Sequence, residues 1–379
     1  MAELRRSISP ELPPDILFYH ILARLPPKSV IRFRCVCKQW QSFLKTPTFA
    51  KIHYRHVTAN GHPKVLVISA ATPCTFRTID CEALEDGLTA ARSLPFEATP
   101  ENMSFVASLD GLVCVGIKEA RFDVKYSDLI LWNPSTGEYK TLSRANTDND
   151  ECYMCTGGAF GLYYNSSNDD YQLVRVTYHH DVYIYSLKSD SWRKVDSIQD
   201  AFLHIPHRFP KSWQSSVLLN EKLYFINQTW NWDGTPPSYS IMRFDLKTEK
   251  FSVIEGPTFT NPRTWWLNFM VVRGCIHLCV AHSKPNSRAS RQEFEMWRMD
   301  GGGEWTKVLT YYPISRFHWF EQPLHVMKNG NLLLLKEGWF CNVDAKTRSE
   351  ERYYWTYLCK DILLERKYIE TLVSPNQYA

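Results

Sequence analysis

The sequence predicts a small all-α module of three helices followed by an all-β domain, a β-propeller of five to six four-stranded units. Three observations carry this expectation. Apolar runs sit between two proline pairs in the first 55 residues; from Lys64 the apolar spacing changes to the period of two that strands show; and one short element recurs along the remaining chain.

The helices come first. Pro13-Pro14 and Pro26-Pro27 each suit the first turn of a helix, where the missing N–H is not needed. Between them Ile16, Leu17, Phe18, Tyr19, Ile21, Leu22 and Leu25 leave only Asp15, His20 and Arg24 strongly polar, and Leu17, Ile21 and Leu25 form one i, i+4 stripe. A helix apolar on several faces is normally buried on several faces. A second helix is expected over Pro27–Arg34 and a third from about Val36 to Leu44, with Cys37, Trp40 and Leu44, or Val36, Trp40 and Phe43, on one face and Thr46-Pro47 as its end. Three short helices in about 40 residues lie near the lower limit for folding alone. The surplus apolar surface therefore packs on the chain's own C-terminal domain or under a partner protein, and composition does not choose.

The recurring element reads apolar-x-x-Trp/Phe-Asx, a polar turn, then an aromatic residue. It is clear at Leu129–Tyr139, Val182–Trp192 and Ile241–Phe251, and weaker at Phe294–Trp305 and Phe340–Arg348. The aromatic residue falls at Tyr139, Trp192, Phe251 and Trp305, at spacings of 53, 59 and 54 residues. A hairpin precedes each instance, with Asp110-Gly111, Asn220-Glu221, Arg273-Gly274 and Asn329-Gly330 at turns. Each unit is thus about four antiparallel strands. Five units are visible, and residues 64–80 together with the C-terminus can supply a sixth. A β-sandwich is the alternative arrangement of the same strands.

Strand alternation then places the connections. Within a four-stranded unit the first and third turns share one end, and the second turn and the inter-unit loop share the other. The long connections, such as 196–213, 228–240, 255–268 and 312–323, belong to the second group. They carry Arg208, Trp230, Trp232, Arg263, Trp265, Trp266, Arg316, Phe317 and Trp319. Trp and Arg are the residues that anchor interfaces. This face is expected to bind a protein target, though the aromatics could instead pack loop on loop.

Two resemblances join these readings. Leu12-Pro13, Ile16-Leu17, Ile21-Leu22, Arg24-Leu25-Pro26 and Arg32 to Trp40, which includes Val36-Cys37-Lys38, together resemble the F-box. The resemblance implies docking on a Skp-type linker protein, and through it on cullin and RING subunits of a ubiquitin ligase. Leu12, Pro13, Ile16, Leu17, Ile21, Leu22, Leu25, Pro26, Val30, Cys37 and Trp40 would be the contacts or their direct supports, with Trp40 also readable as a core residue. Ser108–Val113, Leu131–Gly137, Gly161–Tyr164, Arg243–Leu246 and Tyr368–Pro375 resemble the F-box-associated, kelch-like domain of plant F-box proteins. Jointly they imply a non-enzymatic substrate-recognition subunit of a Skp-cullin-F-box ligase; an F-box scaffold that delivers no target, or a stand-alone propeller binder or enzyme, are the alternatives.

The expected organisation is a flexible N-terminus over 1–9, the F-box over 10–55, a linker over 56–63, the β-domain over 64–375 and a tail over 376–379. The net charge of +4, from 44 basic and 40 acidic residues, is too small to imply nucleic-acid binding. No apolar run of membrane-spanning length and no signal-peptide pattern are read, and eleven irregularly spaced cysteines suit reduced thiols, so a cytoplasmic or nuclear protein is expected. Cys152 and Cys155 form a lone C-x-x-C without a second pair at zinc spacing, so neither metal nor cofactor is expected.

Overall fold

The computed structural model describes residues 12–69, 73–99, 102–118, 127–144, 158–177, 181–195, 211–213, 216–229, 239–259, 264–283, 292–311, 321–336, 339–344, 346–347, 349–355 and 362–377. Cys152, Cys155, the 1–9 segment and most of the long connections lie outside them.

The helical module opens with a π-helical turn, Ile16–Ile21, and a 3₁₀ turn, Leu22–Arg24. It continues with α1 (Pro27–Phe33), α2 (Lys38–Phe43) and α3 (Pro47–Asn60). The π turn changes the faces. Its N–H groups reach five residues back, as Leu22 does to Leu17, so residues five apart stack. Ile16 and Ile21 lie outward, whereas Leu22 is buried and Leu17 half-buried. The expected stripe of Leu17, Ile21 and Leu25 therefore does not form.

A further difference concerns residues 56–63. They were expected as a linker, yet α3 continues to Asn60. Thr46-Pro47 ends α2 but also starts α3: Pro47 occupies the first turn, and Thr46 Oγ1 accepts a hydrogen bond from Phe49 N at 3.2 Å. Phe49, Ala50 and His53 then form a buried inner face.

The chain next enters a six-bladed β-propeller. β1 (Lys64–Ser69), β2 (Thr75–Asp80) and β3 (Arg92–Ser93) begin one blade. The first complete blade is β4 (Met103–Leu109), β5 (Leu112–Ile117), β6 (Asp128–Trp132) and β7 (Tyr139–Thr141). The second is β8 (Ala159–Asn165), β9 (Asp170–Val176), β10 (Val182–Ser186) and β11 (Ser191–Val195). In the third, β12 (Lys211–Trp213) and β13 (Val217–Leu219) both pair with β14 (Lys222–Thr229), followed by β15 (Tyr239–Asp245) and β16 (Lys250–Ile254). The fourth is β17 (Thr264–Val272), β18 (Cys275–Ser283), β19 (Gln292–Met299) and β20 (Trp305–Tyr311). The fifth is β21 (Glu321–Val326), β22 (Leu332–Lys336), β23 (Trp339–Val343) and β24 (Glu350–Trp355). Finally β25 (Ile362–Tyr368) returns to pair antiparallel with β1, in register from Lys64↔Tyr368, and completes the sixth sheet in the order β25-β1-β2-β3.

The innermost strands β4, β8, β13, β17, β21 and β25 neighbour one another in a closed ring. Each pair of adjacent blades shares its own apolar cluster. Val65 and Val67 of β1, for example, pack toward the fifth blade, and Leu66 and Ile68 toward the first, as strand alternation requires. A ring of single sheets with such clusters between all neighbours excludes a two-sheet sandwich.

The recurring motif has a physical reading. Its Asx side chain accepts backbone N–H groups of the third turn: Asn133 from Ser135, Asp245 from Lys247 and Thr248, Asp300 from Gly302 and Glu304, Asp344 from Lys346 and Thr347. In the second blade Ser186 takes the place, accepting from Ser189 N. The aromatic after the turn staples blades together. Trp192 Nε1 donates to Ser143 O at 2.7 Å and Trp305 Nε1 to Glu255 O at 2.8 Å, each reaching the preceding blade.

Three expected hairpins have two-residue turns with both residues at positive φ: Asp110-Gly111, Asn220-Glu221 and Arg273-Gly274. Gly111 is the most constrained. Its φ is +83°, and a Cβ there would collide with Thr371 Oγ1 and with the Ile369 carbonyl. Gly111→Ala is expected to lower stability by about 2–4 kcal/mol. Gly137→Ala, at φ +79° with open space around it, should cost about 1 kcal/mol. Urea denaturation of both variants checks this, and equal midpoints would contradict the close seat of Thr371.

Candidate functional site

The described structure offers two candidate faces at opposite ends of the molecule. The first is the outer side of the helical module. Leu12, Ile16, Ile21 and Val36 are large apolar residues at 40–59% exposure. Pro13, Pro26 and Cys37 are also exposed, Leu17, Leu25 and Trp40 half-buried, and Leu22 and Val30 buried. The sequence-derived docking set is thus split between an outward row and the residues beneath it. Trp40 belongs to both. It meets Phe18 and Phe33 edge-on at centroid distances of 5.7 and 5.9 Å, yet its side chain keeps partial exposure. Its backbone N–H is 3.5 Å from Cys37 Sγ, the cap of α2. Val36 was not in the expected set; its place between two exposed cysteines in the turn after α1 was the available signal.

The inner side of the module is already occupied. Phe18, Leu22, Ala23, Val30, Leu44, Phe49 and Ala50 form one cluster with Leu372, which follows the last propeller strand. Asp110, in the turn between β4 and β5, is the polar hub of this seat. Tyr54 of α3 donates to its Oδ1 at 2.5 Å and Tyr171 to its Oδ2 at 2.9 Å. Burial raises the Asp110 carboxyl above its ordinary range, and the two tyrosine hydroxyls offset part of that rise. Burial, and then the carboxylate, push both tyrosine hydroxyls up. Lys51 pairs with Asp169 at 2.7 Å in the turn between β8 and β9, and Arg34 lies 3.8 Å from Glu138 in the turn between β6 and β7. The module therefore sits on the end of the propeller that carries the short turns.

Beside this seat lies a cleft of about 640 Å³, lined by Arg24, Leu25, Pro26, His56, His62, Lys64 and Glu370 among others. Its charges are largely answered: Lys64 pairs with Glu370 at 3.0 Å, and His62 faces Asp80 at 3.4 Å.

The second face is the opposite end. The connections that follow β5, β9, β14, β18 and β22, and those between blades, leave from there because each strand is antiparallel to the last. Arg208, Trp230, Trp232, Arg263, Arg316, Phe317 and Trp319, expected to bind a target, lie outside the described residues. Trp265 and Trp266 were expected in a loop but are in β17, where Thr264 pairs with His282 and Trp266 with Ala281, and Trp265 lies at the register shift between them. They stand at the start of that strand, at the loop-bearing end.

A buried polar group between the third and fourth blades was not foreseen. Glu295 accepts from Trp297 Nε1 at 2.9 Å, from Lys307 Nζ at 2.6 Å and from His282 Nε2 at 3.3 Å, with Phe259 against the His282 ring. Burial alone would raise the Glu295 carboxyl, but these three donors hold it below its usual range. Its four polar members lie on the fourth blade, and Phe259, just after β16 of the third blade, packs on the His282 ring. Among the described residues no cluster of three or more His, Cys, Asp or Glu could hold a metal ion, and no helix is long and apolar enough to cross a membrane.

His53 gives the seat a pH dependence. It is fully buried, with Nε2 donating to Leu25 O at 2.9 Å. Burial holds the imidazole below its ordinary 6.5, and the Leu25 carbonyl offsets only part of this. The unfolded chain takes up a proton near pH 6.5 where the folded chain does not. The stability from neutral His53 is thus complete above that pH and is lost as pH falls through the lowered folded value. Hydrogen-exchange protection of α1 and α3 is expected to decline below about pH 6.5, and the decline should vanish in His53→Gln. A profile as steep in the variant as in the wild type would contradict this.

Known proteins divide in the same way. Residues 10–51 match the F-box domain family, and residues 84–369 match the F-box associated beta propeller domain family. An F-box/kelch-repeat protein of Arabidopsis thaliana is 25% identical, the alignment covering 98% of this chain and 98% of the relative. A second F-box/kelch-repeat protein of that plant is 26% identical over 89% of this chain and 86% of its own. The Arabidopsis F-box protein CPR1 is 24% identical over 90% and 84%.

Proposed function

Since the chain belongs to the F-box proteins that carry an F-box-associated β-propeller domain, we propose that it is the substrate-recognition subunit of a Skp-cullin-F-box ubiquitin ligase. The observation that carries this reading is the outward row of Leu12, Ile16, Ile21 and Val36. These side chains stay in solvent on a module whose inner face is already filled, so a partner is what would cover them. Burying such a side chain fully contributes about 1.5–3 kcal/mol. A Skp-type linker covers the row and brings cullin and RING subunits with it.

The target is held at the loop-bearing end, by Arg208, Trp230, Trp232, Arg263, Trp265, Trp266, Arg316, Phe317 and Trp319. The module's seat on the short-turn end supports this, because it leaves the opposite end free of the docking partner. The chain itself does no chemistry. It raises the local concentration of target lysines near the conjugating enzyme, as tethering generally does. No nucleic acid or membrane takes part, and the protein works in cytoplasm or nucleus, where ubiquitin ligases meet their targets.

An Ile16→Asp/Ile21→Asp double variant tests the docking face without touching the core, since both side chains are 40% exposed or more. Linker affinity is expected to fall by at least about a hundredfold, while the circular dichroism and melting of the free chain stay unchanged. Undiminished binding would move the docking face elsewhere. Failure of the wild type to recover a Skp-type linker would overturn the ligase assignment.

A further inference from the structure

We propose that Glu370–Val373 is a latch through which the closed propeller completes the F-box core, so that the docking face is held only once the last strand has paired. The consequence for linker docking rests on the function proposed above; the latch does not.

The segment lies beyond residues 84–369 and 10–51, the two regions matched to known families. Its side chains divide between the two modules. Leu372 is 3% exposed and sits in the F-box cluster, where it is the member supplied from the far end of the chain. Val373 turns the other way, into the cluster between the first two blades. Thr371, fully buried, donates from Oγ1 to Asp110 O at 2.7 Å. Asn133 Nδ2 donates to the carbonyls of both Thr371 and Val373, at 3.1 and 2.7 Å. Glu370 pairs with Lys64 at 3.0 Å.

Geometry makes this seat conditional. Only two residues separate the end of β25 at Tyr368 from Thr371. The segment can reach Asp110, Asn133 and the F-box cluster only from the position that β25 takes beside β1 and β4. The F-box in turn has little to spare. Its buried cluster holds eight residues, and a module of this size is marginal by itself. Removing one buried leucine from it should therefore release the module locally, while the propeller between its blades is left intact.

Leu372→Ala and Leu66→Ala, each in the full-length chain, test the two halves of this inference by hydrogen exchange without any linker. Leu66 is buried in β1, at the seam with β25, and touches no F-box cluster. In Leu372→Ala the amides of α1 and α3 should exchange on the order of a hundredfold faster, with those of β9 and β18 unchanged. In Leu66→Ala the amides of β25 and of α1 and α3 should accelerate together. The latch is overturned if α1 and α3 keep wild-type protection in either variant, or if β9 and β18 lose protection equally with them. Linker binding by wild type is scored separately, and its absence would remove the ligase reading while leaving the exchange result to decide the latch.

Discussion

The pairing of β1 with β25 is the contact on which the rest of the structure depends. Lys64 and Tyr368 meet across almost the whole propeller sequence. Closing so long a loop costs little more than closing a shorter one, because the entropy grows only with the logarithm of length. The return is large. Without β25 the sixth sheet loses its innermost strand, and the cluster shared with the first blade loses Tyr368. A closed ring also leaves no inner sheet edge exposed to other chains.

Closure decides where the chain enters and leaves. Gly61–Pro63 leads into β1 at the short-turn end, and Ile369 leaves β25 at that same end. The helices and the C-terminal segment are thus delivered to one place, under the turn of Asp110-Gly111. There the glycine admits Thr371, and the aspartate binds hydroxyls from α3 and from β9. A half-satisfied carboxylate at such a site would be costly; one with a donor on each oxygen is specific and directional. The result sets the outward apolar row and the long loops at opposite ends of one body.

Legibility followed range. The repeat could be read because its parts act locally: alternation of two, an Asx side chain closing the turn after it, two-residue hairpins at Asp110-Gly111 and Arg273-Gly274. The F-box could be read because its apolar, proline and tryptophan positions are close in sequence. The π turn could not, since a widened turn has no composition of its own, and so Ile21 was placed on the wrong stripe. The helix α3 was missed altogether, because Thr-Pro serves equally as the end of one helix and the start of the next. The His282–Glu295–Lys307 group was missed because its members lie on three different strands.

By itself, the sequence determined a small helical module, a β-domain of repeated four-stranded units and the end of each unit from which the long loops leave. These follow from periodicity and from turn chemistry, which act between near neighbours. Only the tertiary structure decided that the sixth blade closes through β25, that Asp110 joins Tyr54 to Tyr171, and that Leu372 completes a core more than 300 residues away. Those contacts join distant residues whose local signals, a turn and a chain end, say nothing of a partner. Burial chose the partners, because each apolar face and each polar atom had to be covered by whatever the closed ring brought next to it.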